Sequence, residues 1–162
     1  MQQVDGRYVA AVYIVRRMLK DPKDYHKHLQ QVLRTPQEQW YSLVHVERKQ
    51  TFQALFFGKV QWYETHLSPN ASLENKHFDK LFEVEHCKGK SLHDFFHLYL
   101  QKKLPAQDMK QIDVLRKKLP ADPRVIVLTK NHKEFELYDG WHAAIAFAAR
   151  NKAIPVILGI RP

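Results

Sequence analysis

The sequence predicts an α+β fold in which a helical N-terminal region packs on a small C-terminal β-sheet with a buried Ala-rich helix. The first two thirds of the chain carry repeated helix-start signals, each followed by apolar residues at helical spacing. The last third has two short alternating runs, 124–129 and 133–138, followed by an Ala-rich segment and an apolar strand-like run from Ile154. The 162 residues suit a single domain, 1–162, with a mainly helical part at 1–105 and an α/β core at 106–162.

The composition is that of a globular protein. Hydrophobic residues make up 44% of the chain and aromatic residues 12%, enough to build a core. The single cysteine, Cys87, excludes an internal disulfide framework, and the N-terminus does not resemble a secretory signal. No apolar run approaches the roughly 20 residues of a membrane span. These features predict a cytoplasmic protein that does not enter membranes.

The formal net charge is +9, and its excess is concentrated in two segments. Residues 1–36 carry seven Lys and Arg against three acids, and residues 85–119 carry eight against four. Such segments attract polyanions without specifying a sequence, although a solvated basic surface gives the same pattern. The predicted nucleic-acid contacts are Lys102, Lys103, Arg116, Lys117 and Lys118.

Helix-start signals divide the N-terminal region. The run 9–15 fits either a strand or a helix. Asp21-Pro22 predicts the start of a helix, and Thr35-Pro36-Gln37-Glu38 is typical of a capping box that opens the next one. Their apolar faces are Tyr25, Leu29 and Val32 in the first helix, and Trp40, Leu43 and Val44 in the second.

Two more helices are predicted before residue 90. Apolar residues recur at helical spacing across 51–67, although this segment is also rich in residues that favour strands. Ser68-Pro69-Asn70 indicates a turn, and Ser72 is a candidate cap for a helix that continues past Leu73 to Phe82.

Ser91 and Asp94 predict the start of a further helix that ends before Pro105. Leu92, Phe96, Tyr99 and Leu100 share one face of this helix, and His93, His97 and Gln101 share the other. A basic amphipathic helix follows at 108–119, with Met109, Ile112 and Leu115 on its apolar face.

The C-terminal core is predicted to contain strands 124–129, 133–138 and 154–159 of one sheet, with helix 141–150 buried against it. The turn Asp139-Gly140-Trp141-His142 joins the second strand to this helix. Free N–H groups at a helix start favour anions, so these four residues are the predicted phosphate-binding site. In this interpretation Gly140 permits close approach or a positive φ, Trp141 offers a stacking surface and His142 a polar contact. The alternative is an ordinary helix start, with Asp139 as its cap and Trp141 in the core.

The same residues carry a resemblance. Asp139, Gly140 and His142, the helix 143–150 and Ile154-Pro155-Val156 resemble the Asp-Gly-x-His-Arg motif, Ala-rich helix and Ile-Pro-Val strand of the ParB/sulfiredoxin superfamily. The resemblance covers about the last third of the chain. It implies binding of a nucleotide such as ATP or CTP, or of nucleic acid, and a bacterial, plasmid or effector origin.

Two departures bear on that expectation. The arginine that follows the histidine in the family, and contacts phosphate, is Ala143 here. The cysteine of sulfiredoxins is Trp141, which excludes their chemistry.

Other candidate sites have weaker support in the sequence. His93 and His97, with His86 and Cys87 upstream, are metal-ligand types without a recognised spacing, so no metal site is predicted. Cys87 lacks a partner motif for nucleophilic chemistry. Glu134 and Glu136, expected on an exposed strand face, would suit a nuclease but are more typical of solvated residues. No catalytic residue is assigned.

Three functional hypotheses remain open. The first is a divergent ParB/sulfiredoxin-like module that binds nucleotide or nucleic-acid phosphates. The second is a nucleotide hydrolase or nuclease of the same superfamily. The third is a protein-interaction domain that has lost its ligand chemistry, which is consistent with Ala143.

Overall fold

The computed structural model describes residues 1–18, 24–40, 42, 53, 56–74, 91–122, 125–129 and 134–161. The described part of the chain forms an α+β fold, as the sequence predicts. Its helices are α1 (Gly6–Met18), α2 (Tyr25–Arg34), α3 (Gln37–Trp40), α4 (Leu92–Leu100), α5 (Ala106–Lys117) and α6 (Trp141–Ala148). Its strands are β1 (Gln2–Val4), β2 (Gln61–Leu67), β3 (Leu73–Glu74), β4 (Val125–Thr129), β5 (Phe135–Asp139) and β6 (Ile154–Ile160).

The strands form one mixed sheet in the order β1-β2-β6-β4-β5-β3. β6 lies near the middle, where it pairs antiparallel with β2 and parallel with β4. The chain turns from β4 into antiparallel β5 and then returns through α6 to β6. This crossover places the β5–α6 turn at one end of the central strands.

Helices cover both faces of the sheet. Successive side chains of a strand point to opposite faces, so Val125 and Val127 join the core formed with α4, α5 and α6. Ile126 and Leu128 join the other core, with α1, α2 and α3. Burial on both faces explains why β4 is apolar at nearly every position instead of alternating.

The C-terminal elements confirm their predictions. The three expected strands lie in one sheet, within one or two residues of the expected bounds. Residues 143–147 of the Ala-rich helix are all buried. Small side chains let this helix lie close to its neighbours, and its lack of polar groups requires that cover.

The prediction of a helix at 51–67 is wrong at Gln61–Leu67, which is β2. This strand pairs with β6 along its whole length, and its Trp62 is 2% exposed. Long-range pairing with an apolar central strand overrides the helical spacing, because aromatic and β-branched residues fit the sheet better. Residues 51, 52, 54 and 55 lie outside the described part of the chain.

The helix expected after Ser72 is also corrected at its start, since Leu73–Glu74 forms β3 and pairs parallel with β5. The rest of that expected helix, 75–82, lies outside the described residues. With β1, β2 and β3, the region before residue 105 contributes half of the observed strands. The sheet is therefore not confined to the C-terminal part.

The N-terminal helices pack as an apolar layer. The ambiguous run 9–15 is helical within α1, and Tyr25, Leu29 and Val32 are buried as predicted. The capping box at Thr35 is not formed, because its hydroxyl donates to the Gln31 carbonyl at 3.0 Å and the residue ends α2. Asp21-Pro22, Leu43 and Val44 lie outside the described residues.

The helix start at Ser91 is confirmed. Ser91 and Asp94 form a reciprocal capping box, and Leu92, Phe95 and Tyr99 are buried. Leu100, expected on the apolar face, is 57% exposed. The buried stripe therefore follows Phe95, which leaves His93 and His97 on the solvent side of α4.

Candidate functional site

The backbone of the β5–α6 turn has the geometry that its glycine predicts. Gly140 is the N-cap of α6, and its φ is 98°. This is a left-handed backbone conformation that residues other than glycine rarely adopt. The Asp139 carboxylate Oδ1 accepts the Gly140 N–H at 2.9 Å. Asp139 therefore fixes the turn from the preceding position and is not the helix cap.

Side chains from two helices hold the turn on either side. His142 Nε2 lies 2.8 Å from Asp108 Oδ1, in the first turn of α5. Arg16 Nη1 of α1 lies 3.6 Å from Asp139 Oδ2, close enough for an ion pair. That oxygen is buried without a hydrogen bond, and its contact with Arg16 is electrostatic. The turn thus joins the helical layers on the two faces of the sheet.

Trp141 and Ala143 belong to the core. The Trp141 ring stacks on His142 with centroids 3.7 Å apart and lies 5.6 Å from Phe95. It is 9% exposed, and Ala143 is 2% exposed. Position 143, where the resembled family carries an arginine, is therefore packed inside the protein.

Burial lowers the pKa of His142 below its usual 6.5, and hydrogen bonding to Asp108 opposes this shift without cancelling it. The neutral ring can donate its Nε2–H to Asp108 Oδ1, so this part-buried hydrogen bond needs no charged imidazolium.

Acid should therefore destabilise the protein through His142. Because the folded-state pKa is the lower one, the unfolded chain binds more protons once the pH falls below about 6.5. We expect the free energy of unfolding in urea to fall from pH 7 to pH 5, and to fall less in His142→Gln. His66→Gln, which removes an exposed imidazole on β2, should keep the wild-type slope. Equal slopes in wild type and His142→Gln would contradict this assignment.

The predicted basic residues divide into two groups. Lys102 and Lys117 line an open groove of about 630 Å³ along α5, together with Lys110. Lys103 and Lys118 are exposed, and Arg116 lies 3.7 Å from Asp113. The rest of the groove lining is Leu104, Ala106, Met109, Asp113 and Val114.

Sequence reasoning missed Lys110. Its position seven residues before Lys117 is the signal that places both lysines on one side of a helix.

Lys102 has a backbone conformation that is unfavourable for a residue with a Cβ atom. Its φ is 57°, and the two hydrogen bonds that end α4 run from Lys102 N–H to Tyr99 O and from Lys103 N–H to Leu98 O. Glycine usually fills this left-handed position, since a Cβ there costs about 1 kcal/mol.

Of the other candidate residues from the sequence, two glutamates lie in the described part of the chain, and two metal-ligand types lie outside it. Glu136 is 7% exposed, so the expectation that it lies on a solvated strand face is wrong, while Glu134 is exposed. His86 and Cys87 lie outside the described residues. Within the described ranges, no group of three or more His, Cys, Asp or Glu side chains is placed to hold a metal ion together.

Comparison with known proteins adds no relative: no family model, curated protein or solved structure matches this chain. Among the described helices, none has the length and apolar composition needed to cross a bilayer.

Proposed function

We propose that this protein is a divergent ParB/sulfiredoxin-like module that binds nucleic-acid phosphates in the groove along α5. The observation that carries the proposal is the convergence of Lys102, Lys110 and Lys117 on one open groove in a chain of net charge +9. Phosphate contacts of this kind give affinity without sequence preference.

The spacing of the lysines suits a nucleic-acid backbone. Lys110 and Lys117 are seven residues apart on α5, which corresponds to roughly 10.5 Å along the helix axis. At about 3.4 Å per nucleotide of one strand, that distance spans about three nucleotides. Lys102 adds a third charge from the α4–α5 connection.

Asp113, the one acid among the described residues that line the groove, is already engaged. Tyr99 Oη donates to Asp113 Oδ1 at 2.7 Å, and Arg116 lies 3.7 Å from the same oxygen. These contacts reduce the repulsion that Asp113 presents to a phosphate. Met109 and Val114, the latter 50% exposed, give the groove an apolar lining that can contact bases or sugars.

The turn at 139–142 supports phosphate binding only through its backbone. Gly140 and the start of α6 have suitable geometry, but Asp139, Trp141 and His142 contact other parts of the protein. Binding of ATP or CTP there thus remains a prediction. The packing of Ala143 favours a second candidate function, a protein-interaction domain that has lost the ligand chemistry of the turn.

A triple Lys102/Lys110/Lys117→Gln variant tests the groove. We expect it to bind fluorescein-labelled duplex DNA at least tenfold more weakly at low salt. The slope of log K against log salt should become shallower by about 2 to 3, because each lost phosphate contact removes roughly 0.9. Fluorescence anisotropy over a salt series measures both quantities.

The control is Lys27/Lys59/Lys152→Gln, which lowers the formal charge by the same amount, from +9 to +6, at exposed lysines away from the groove. It should keep most of the affinity and the slope. Equal losses in the two triple variants would overturn the groove assignment. If the wild type does not bind at low salt, the protein-interaction function is favoured.

A further inference from the structure

The solvent face of α4 carries two histidines whose ring nitrogens meet. His93 Nε2 and His97 Nε2 are 2.9 Å apart, and the ring planes cross at 86°. Both side chains are exposed, so solutes reach them from solvent. The four-residue spacing on a helix brings the two rings to the same side.

The distance between the two nitrogens matches that of two ligands on one metal ion. Zinc–imidazole bonds are about 2.0–2.1 Å long, so nitrogens that subtend 90° at the ion lie about 2.9 Å apart. At the tetrahedral angle the separation is about 3.3–3.4 Å, which a small rotation of one ring supplies. The separation of the two Nε2 atoms therefore lies in the range of two ligands on one ion, and a ring rotation turns both lone pairs toward it.

The helix that carries the pair is well anchored. α4 begins at the Ser91–Asp94 capping box and buries Leu92, Phe95 and Tyr99. At its C-terminus, the backbone N–H groups of Lys102 and Lys103 donate hydrogen bonds to carbonyls of the last turn. A rigid support of this kind reduces the entropy that two ligands lose when they bind one ion.

We propose that His93 and His97 form a two-histidine site for a divalent transition metal ion, with its remaining coordination positions open to water or a small ligand. This inference is independent of the groove and of the proposed function. Imidazole nitrogen selects ions of the Cu²⁺, Ni²⁺ and Zn²⁺ group over Mg²⁺ and Ca²⁺, which prefer oxygen.

Coordination needs a free lone pair on both Nε2 atoms. In the metal-free pair, one neutral ring can donate Nε2–H to the other. On binding, that proton moves to Nδ1 of the same ring, so the two neutral histidines become ligands with no net loss of protons.

Calorimetric titration of the full chain with CuCl₂ and with ZnCl₂ tests the site. Wild type should bind Cu²⁺ more tightly than Zn²⁺, and MgCl₂ should give no heat. His93→Gln and His97→Gln should each weaken binding at least tenfold, whereas the exposed-histidine control His66→Gln should not change it. Thermal unfolding should move to higher temperature with Zn²⁺ in wild type and His66→Gln alone, because a ligand that binds only the folded chain stabilises it.

Two outcomes would overturn the assignment of the metal site to His93 and His97. One is the same affinity in wild type and in both helix variants, which would place the metal on other histidines. Another is equal weakening in His66→Gln, which would indicate diffuse binding. Far-UV circular dichroism of each variant confirms that its helix content is retained, so a loss of affinity reports on the ligands themselves.

Discussion

Ala143→Arg should destabilise the protein by about 3 kcal/mol or more, instead of restoring the phosphate contact of the resembled family. Ala143 is 2% exposed and is followed by Ala144 and Ile145, both fully buried. An arginine there must either overfill the core or leave a guanidinium without a partner. Urea unfolding followed by circular dichroism measures the loss.

The matched control is Ala149→Arg, at the other end of the same helix, where the native side chain is only half-buried. An arginine there can extend its charge to water, so a change of less than about 1 kcal/mol is expected. If Ala143→Arg instead keeps wild-type stability and binds ATP or CTP in calorimetry, the turn is an open phosphate site. In that case the packing argument fails.

Trp141→Ala should cost about 3–5 kcal/mol of unfolding free energy, the usual range for removal of a buried tryptophan. The ring is 9% exposed, stacks on His142 and packs against Phe95, so its loss removes contacts on both sides. Trp141→Phe keeps an aromatic ring in the site and should cost clearly less. Chemical denaturation of both variants gives the comparison.

The same variants separate the structural interpretation of Trp141 from the functional one. If the ring stacks on a nucleobase, Trp141→Ala should weaken DNA binding strongly with little loss of stability. We expect the opposite: a large loss of stability and an unchanged DNA affinity for the remaining folded protein, measured at low temperature and without denaturant.

The fold predictions succeeded where an element depends on residues close in sequence, and failed where it depends on a distant pairing partner. Ser91 and Asp94 predicted the start of a helix, and the structure shows them as a reciprocal capping box, because both partners lie within one turn. Gly140 predicted a turn with either a close backbone approach or a positive φ, and the structure shows the positive φ. The strand Gln61–Leu67 was predicted as a helix because its pairing partner, β6, lies about ninety residues further along the chain.

The predictions for the groove and for the histidine pair likewise succeeded for most local features and failed for contacts between distant elements. The charge of Lys102 and Lys117 marked them in the sequence, whereas Lys110 was missed although its seven-residue spacing from Lys117 places both on one side of α5. That Lys102 lines the same groove depends on the packing of α5 beside the α4–α5 connection. The sequence placed His93 and His97 on one helix face. The 2.9 Å approach of their Nε2 atoms also depends on side-chain rotamers, which spacing alone does not fix.

The sequence by itself determined the α+β class, the C-terminal strands, the buried Ala-rich helix and the glycine turn, because each depends on signals within a few residues. Only the tertiary structure decided that Trp141 and Ala143 are buried, that His142 is bound to Asp108, and that three lysines converge along α5. The physical reason is that exposure and contact depend on which elements cover a residue. For the turn those elements are α1, α4 and α5, which lie far from it in the chain.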